Sequence, residues 1–132
     1  MTTPGSRRTI LVSDDDETYG RLLELLLEAR DYRVITTRDG HEALTYLQSS
    51  TPDAMILDVR MPHMSGFDVA RRVRRVARLR QLPIFFLTSS SDEDTKRQAE
   101  EVGAAGLLEK PLGGGDLRYR LDAVLGRPNR SW

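Results

Sequence analysis

Five short apolar runs, each parted from the next by a stretch with helical spacing, set the limits on what this chain can fold into. They are Thr9-Ile10-Leu11-Val12-Ser13, Arg33-Val34-Ile35-Thr36-Thr37, the run ending Ala54-Met55-Ile56-Leu57-Asp58, Pro83-Ile84-Phe85-Phe86-Leu87-Thr88, and Ala105 to Glu109. Four apolar residues in a row, as at Ala54 to Leu57, suit a strand buried on both faces. Strands that alternate with helices are joined by right-handed crossovers, which gives one parallel sheet covered on both faces. The expected fold class is therefore α/β, a doubly wound five-stranded parallel sheet with five helices. The 132 residues hold no repeat and no shift of composition, so one domain with one core is expected.

The connecting stretches carry their own punctuation. Tyr19, Leu22, Leu23 and Leu26 recur at helical spacing, with Asp15 or Asp16 as N-cap and a stop near Arg30. A second helix is expected from Asp39 to Leu47, with Asp39 and Glu42 at capping-box spacing and Ala43, Leu44 and Leu47 inward. Ser65 caps a third, with Phe67, Val69, Ala70, Val73 and Val76 or Ala77 apolar. Ser91 opens a fourth whose apolar face is thin, Thr95, Ala99 and Val102, and Gly103 ends it. Gly113-Gly114-Gly115 reads as a loose hinge, after which Asp116 caps a fifth helix with Leu117, Leu121, Val124 and Leu125 inward. Residues 1–8 are expected to be a disordered leader, 9–126 the folded domain, and 127–132 a frayed tail.

Several functions are disfavoured at this stage. Twenty bases balance twenty acids, so bulk charge gives no argument for nucleic acid or membrane. There is no cysteine, hence no disulfide, thiolate metal site or cysteine nucleophile, which fits a cytoplasmic location. No apolar run has the length of a membrane span. The two histidines, His41 and His63, are too few and too far apart to suggest zinc.

In a parallel sheet every strand ends on the same edge, and that edge is where ligands bind in open α/β folds. The first strand delivers Asp14 and Asp15 there, the third Asp58, the fourth Thr88 and the fifth Lys110. Each alone also reads as a helix cap, a turn residue or a solvated charge. Together they converge three carboxylates, a hydroxyl and an ammonium. Clustered carboxylates repel one another, and a hard divalent cation relieves this. Oxygen ligands without His or Cys favour Mg²⁺. A carboxylate beside Mg²⁺ and a lysine is arranged for phosphoryl transfer, with Asp58 attacking in line to give an aspartyl phosphate.

The pieces Ile10-Leu11-Val12-Ser13-Asp14-Asp15-Asp16-Glu17, Leu57-Asp58-Val59-Arg60-Met61-Pro62 with Ser65-Gly66, Leu87-Thr88-Ser89 and Glu109-Lys110-Pro111 resemble the receiver domain of two-component response regulators, from Thr9 to Leu125. The resemblance implies a flavodoxin-like strand order 2-1-3-4-5, an order for which a receiver is a standard example. It implies that Asp58 accepts phosphate from a phosphohistidine. Asp14 and Asp15 would hold Mg²⁺, Asp15 directly, together with Asp58 and the backbone carbonyl of Arg60. Thr88 would bind the phosphoryl group and move on activation, and Lys110 would pair with that group, positioned by a cis bond to Pro111. The implied partners are a sensor histidine kinase or histidine phosphotransfer protein and a downstream target protein. Neither direct nucleic-acid nor membrane contact is implied. The implied assembly is a monomer or a phosphorylation-dependent dimer through the fourth and fifth helices. The chain would be a stand-alone switch, not a turnover enzyme, that assists its own phosphorylation and dephosphorylation.

Three departures stand out. Leu107 occupies the place of the family's usual switch aromatic, Ser13 that of an apolar residue, and Gly113-Gly114-Gly115 that of a stiffer loop. A degenerate receiver acting as a phosphorylation-independent interaction module is the alternative. A Mg²⁺-dependent phosphatase would want a general acid two residues beyond the nucleophile, where Arg60 cannot serve. Arg71, Arg72, Arg74, Arg75, Arg78 and Arg80 load the third helix with positive charge, as a solvated face or a docking patch for an acidic partner. Tyr119 is expected to be exposed.

Overall fold

The structure, a computed structural model, describes residues 7–126. The expected tail, 127–132, and all but the last two residues of the expected leader lie outside them. The elements run β1 (Thr9–Ser13), α1 (Glu17–Glu28), β2 (Arg33–Thr37), α2 (Gly40–Ser49), β3 (Ala54–Asp58), α3 (Gly66–Arg75), β4 (Ile84–Thr88), α4 (Glu93–Glu101), β5 (Gly106–Glu109) and α5 (Gly114–Leu125). A 3₁₀ turn, Ala77–Leu79, follows α3. All neighbouring strands are parallel, in the order β2-β1-β3-β4-β5.

Successive strand residues point to opposite faces, so each apolar run feeds two cores. Leu11, Met55, Leu57, Ile84 and Phe86 face α2, α3 and α4, where Ala43, Leu47, Phe67, Ala70, Val73 and Ala99 meet them. Ile10, Val12, Ile56, Phe85 and Leu87 face α1 and α5, where Leu23, Leu27, Leu117 and Leu121 meet them. Every residue of β3 and β4 is buried, which is why neither strand shows alternation.

The helices differ from expectation in detail. Leu22 is 42 % exposed, and the buried stripe of α1 is Gly20, Leu23 and Leu27. A run with five leucines in six positions gives no periodicity from which to choose the inward face. Val76 lies beyond the end of α3 and is exposed, and Leu79 of the 3₁₀ turn fills the core instead. Asp92, not Ser91, caps α4 by accepting the Thr95 N–H. Glycines 114 and 115 form the first turn of α5 rather than a hinge, with Gly113 as N-cap. Asp116 thus falls in that first turn, where its charge complements the helix dipole. Val124 is exposed on α5, as is Tyr119, which was expected to be. Gly103 closes α4 at φ +67°, as its position suggested.

Candidate functional site

Strand register brings the candidate residues to one edge. Ser13 lies beside Leu57, Asp58 beside Leu87, and Thr88 beside Glu109, so Asp14, Asp58, Thr88 and Lys110 all emerge at the carboxyl ends of neighbouring strands. The turn from β3 into α3 passes close behind Asp58. A Cβ at Gly66 would stand 2.4 Å from the Asp58 carbonyl oxygen, so only glycine lets the helix start there. Its N–H bonds the Val59 carbonyl at 3.0 Å, and the Ser65–Asp68 capping box fixes the helix entry.

Carboxylate oxygens of Asp14, Asp15 and Asp58 lie within 4.8 Å of one another. Asp14 is 2 % exposed and Asp58 7 %, while Asp15 is exposed. The Lys110 ammonium stands 3.0 Å from Asp14 Oδ2 and 3.2 Å from Asp58 Oδ2. Asp14 Oδ1 accepts the Asp16 N–H at 2.9 Å, and Asp58 Oδ1 accepts the Arg60 N–H at 3.2 Å. Asp14 Oδ2 is buried and, although close to the ammonium, accepts no hydrogen bond. A buried carboxylate oxygen without a donor is costly unless a cation faces it. The donors gathered here are all oxygens, and among the described residues they form the group of acids suited to a metal. They fit a hard cation such as Mg²⁺.

The electrostatics point the same way. Burial, then the adjoining Asp14 carboxyl, push the Asp58 carboxyl up to about 6, against the pull of Lys110. Burial pulls the Lys110 ammonium down, but the adjoining carboxylates of Asp14 and Asp58 outweigh this and raise it. The carboxylates thus keep the lysine protonated, while each suffers from the other's charge.

Thr88, 7 % exposed, has its hydroxyl occupied. Oγ1 donates to the Ser90 carbonyl at 2.7 Å and accepts the Ser90 N–H at 3.1 Å. Ser91 donates to a Glu109 carboxylate oxygen, tying the β4–α4 loop to the end of β5. The Lys110–Pro111 bond is cis. Leu107 is half-buried against the α2–α4 core, and Ser13 donates to the Asp39 carbonyl at 3.1 Å and contacts Met61 Sδ at 3.3 Å.

Two contacts were not legible as part of the site. Tyr19, placed by spacing on the buried side of α1, lies with its ring 4.6 Å from Lys110 Nζ, and its hydroxyl accepts the Leu112 N–H at 3.0 Å. The arginine run divides. The Arg74 guanidinium donates to five carbonyls, those of Leu79, Arg80, Leu82, Val102 and Gly103. Arg71 bonds Asp68 and Gln98, and Arg78 bonds Thr51 and the Leu47 carbonyl. Half of the run therefore fastens helices and loops together.

The profile of the response regulator receiver domain matches residues 10–122. The chain is 38 % identical over 122 residues to the transcriptional regulatory protein AfsQ1 of Streptomyces coelicolor, covering 92 % of this chain and 53 % of that one. It spans about half or less of the length of the curated relatives it matches. The solved structure of the chemotaxis protein CheY4 of Vibrio cholerae superposes with a TM-score of 0.87 at 34 % identity, covering 90 % of this chain and 99 % of that one. The receiver domain of the sensor histidine kinase PA1611 of Pseudomonas aeruginosa superposes with a TM-score of 0.84 at 26 % identity, covering 91 % of this chain and 98 % of that one. That neighbour carries a magnesium ion in its active-site cleft.

Proposed function

This chain belongs to the response regulator receiver domain family, the phosphoacceptor switches of two-component signalling, and on that premise we propose that Asp58 is its phosphoacceptor. The observation that carries this is the meeting of Asp58 with Asp14 and Lys110 at one sheet edge, 3.2 Å from the lysine and within 4.8 Å of two other acids. An oxygen of Asp58 attacks the phosphorus of a phosphohistidine. The nitrogen–phosphorus bond breaks, its electron pair returns to the imidazole, and an aspartyl phosphate remains. Lys110 holds its positive charge against the phosphoryl oxygens, and the Thr88 hydroxyl, released from the Ser90 carbonyl, donates to one of them.

Asp14, Asp15 and Asp58, with the backbone carbonyl of Arg60, would hold Mg²⁺, which when bound offsets the negative charge of the transferring group. The all-oxygen cluster of Asp14, Asp15 and Asp58 supports this assignment. The chain is a signalling switch that supplies groups for its own phosphorylation and dephosphorylation without turning over a substrate. A histidine kinase or phosphotransfer protein is the donor and a target protein the recipient. Exposed Tyr119 and Val124 on α5 support a partner or second copy meeting α4 and α5. Among the described residues no helix is long and apolar enough to cross a membrane. The proposed location is the cytoplasm, where a histidine kinase would present its phosphohistidine.

Incubation with acetyl phosphate and Mg²⁺ tests this. One alkali- and hydroxylamine-labile phosphoryl group should appear by mass spectrometry and vanish in Asp58→Asn. Lys110→Ala should slow labelling with the circular dichroism unchanged. Equal labelling of Asp58→Asn and wild type would move the acceptor elsewhere. No labelling of either, with a target bound all the same, would favour the phosphorylation-independent module, to which Leu107 lends some support.

A further inference from the structure

We infer that Tyr19 is a positioning residue for Lys110, its ring holding the ammonium against the carboxylates. The inference rests on the role proposed for Lys110. Lysine is a point charge on a flexible four-carbon stem, so its usefulness in a site depends on what confines it. One contact to Tyr19 confines its ammonium, and a second anchors the turn two residues on. The Nζ sits 4.6 Å from the ring centroid, within the range at which the negative face of an aromatic ring attracts a cation. Two residues on, the Leu112 N–H donates to the Tyr19 hydroxyl at 3.0 Å. One side chain of α1 thus grips both ends of the Lys110-Pro111-Leu112 segment.

The tyrosine is itself well placed to do so. Its half-buried ring packs with Leu112 and Leu125 onto the core between the sheet, α1 and α5, so the platform is fixed by burial. The carboxylates attract the ammonium from the other side, at 3.0 and 3.2 Å. When Asp58 is converted to an acyl phosphate, one of those two attractions changes, whereas the ring does not take part in the reaction. The ring therefore keeps the cation over the sheet edge at the moment the phosphoryl oxygens need it.

The test compares wild type, Tyr19→Phe and Tyr19→Leu in full-length chain. Tyr19→Phe keeps the ring and should label with acetyl phosphate within about twofold of wild type. Tyr19→Leu should label about fivefold more slowly and bind beryllofluoride more weakly by a similar factor, the size of a partly exposed cation–π contact. The Lys110 ε-methylene protons should be shifted upfield by the ring current in wild type and Tyr19→Phe, and return to ordinary positions in Tyr19→Leu. That shift reports the contact itself, and the role is read from the labelling: rescue by Tyr19→Phe against slowing in Tyr19→Leu, with unchanged circular dichroism in both. Should Tyr19→Leu fail to fold, Tyr19→Met, an unbranched filler of the same space, replaces it. Labelling of the ring-less variant within twofold of wild type, equal slowing in Tyr19→Phe, or unshifted ε-methylene protons in wild type each overturn the inference. Failure of wild type itself to label at Asp58 overturns the phosphoacceptor reading instead, and the ring-current result still decides the geometry.

Discussion

Replacing Asp58 by asparagine should make the protein more stable near neutral pH, although it removes the proposed reactive group. Asparagine keeps an Oδ1 that can accept the Arg60 N–H, and Lys110 retains Asp14 as a partner. What disappears is a buried negative charge within 4.8 Å of two others. The cost of that charge is contained in the rise of the Asp58 carboxyl from 3.8 to about 6. At roughly 1.4 kcal/mol per pH unit the interval corresponds to about 3 kcal/mol. Solvent screens the open side of the site, so about 1 to 2 kcal/mol is the expected gain. The sign follows from proton binding. Folded Asp58 holds its proton more tightly than the unfolded chain does, so its contribution favours the fold below about pH 4 and is lost as pH rises through about 6. Urea unfolding of wild type and Asp58→Asn, with chelator present, should give a higher midpoint for the variant near pH 7, an unchanged m-value, and convergence near pH 4. A variant no more stable near pH 7, or an advantage independent of pH, would refute the reasoning.

Mg²⁺ should relieve the same repulsion, so adding it should raise the wild-type midpoint near neutral pH, with chelation reversing the gain and leaving the fold intact. A shift titration should move residues near 14–16, 58–60 and 88, and silence there would remove the metal assignment. Arg74→Ala should destabilise the domain by about 2 kcal/mol, because carbonyls on both sides of β4 lose a charged donor, whereas Arg72→Ala, exposed on the same helix, should change little. Beryllofluoride should alter hydrogen-exchange protection most over residues 88–104, since Thr88 must leave the Ser90 carbonyl and α4 is held by few buried contacts. A change confined to residues 113–115 would place the switch elsewhere.

The fold was legible because a parallel sheet buries both faces and so writes its strands as unbroken apolar runs. The edge was legible for the same reason: once the strands are parallel, the residues after Ser13, Leu57, Leu87 and Glu109 must share one side. Helix detail was less legible. Ser91 and Asp92 are both good caps, and only the turn geometry after Thr88 selects the second. Glycines 114 and 115 disfavour a helix by propensity, and the burial of Leu117 and Leu121 overrides them. Spacing placed Tyr19 on an inward face but said nothing of Lys110, because the two meet only when α1 and the turn after β5 come together. Likewise, six arginines in ten positions look alike as charge, and only the end of α4 and the chain entering β4 distinguish Arg74 from its neighbours.

The five carbonyls gathered by Arg74 give α4 a fulcrum. Two of them, Val102 and Gly103, terminate that helix, and three others belong to the chain entering β4. The far end of α4 hangs from the short loop that carries Thr88, which the Ser91–Glu109 hydrogen bond ties to the end of β5. With nine residues at about 1.5 Å each, the helix is a lever roughly 13 Å long. A tilt of about 10° around the fastened end carries the other end about 2 Å, the size of a side-chain rotation. Should Thr88 turn toward a phosphoryl group as proposed, the expected consequence is a displacement of the α4 surface about the end that Arg74 fastens.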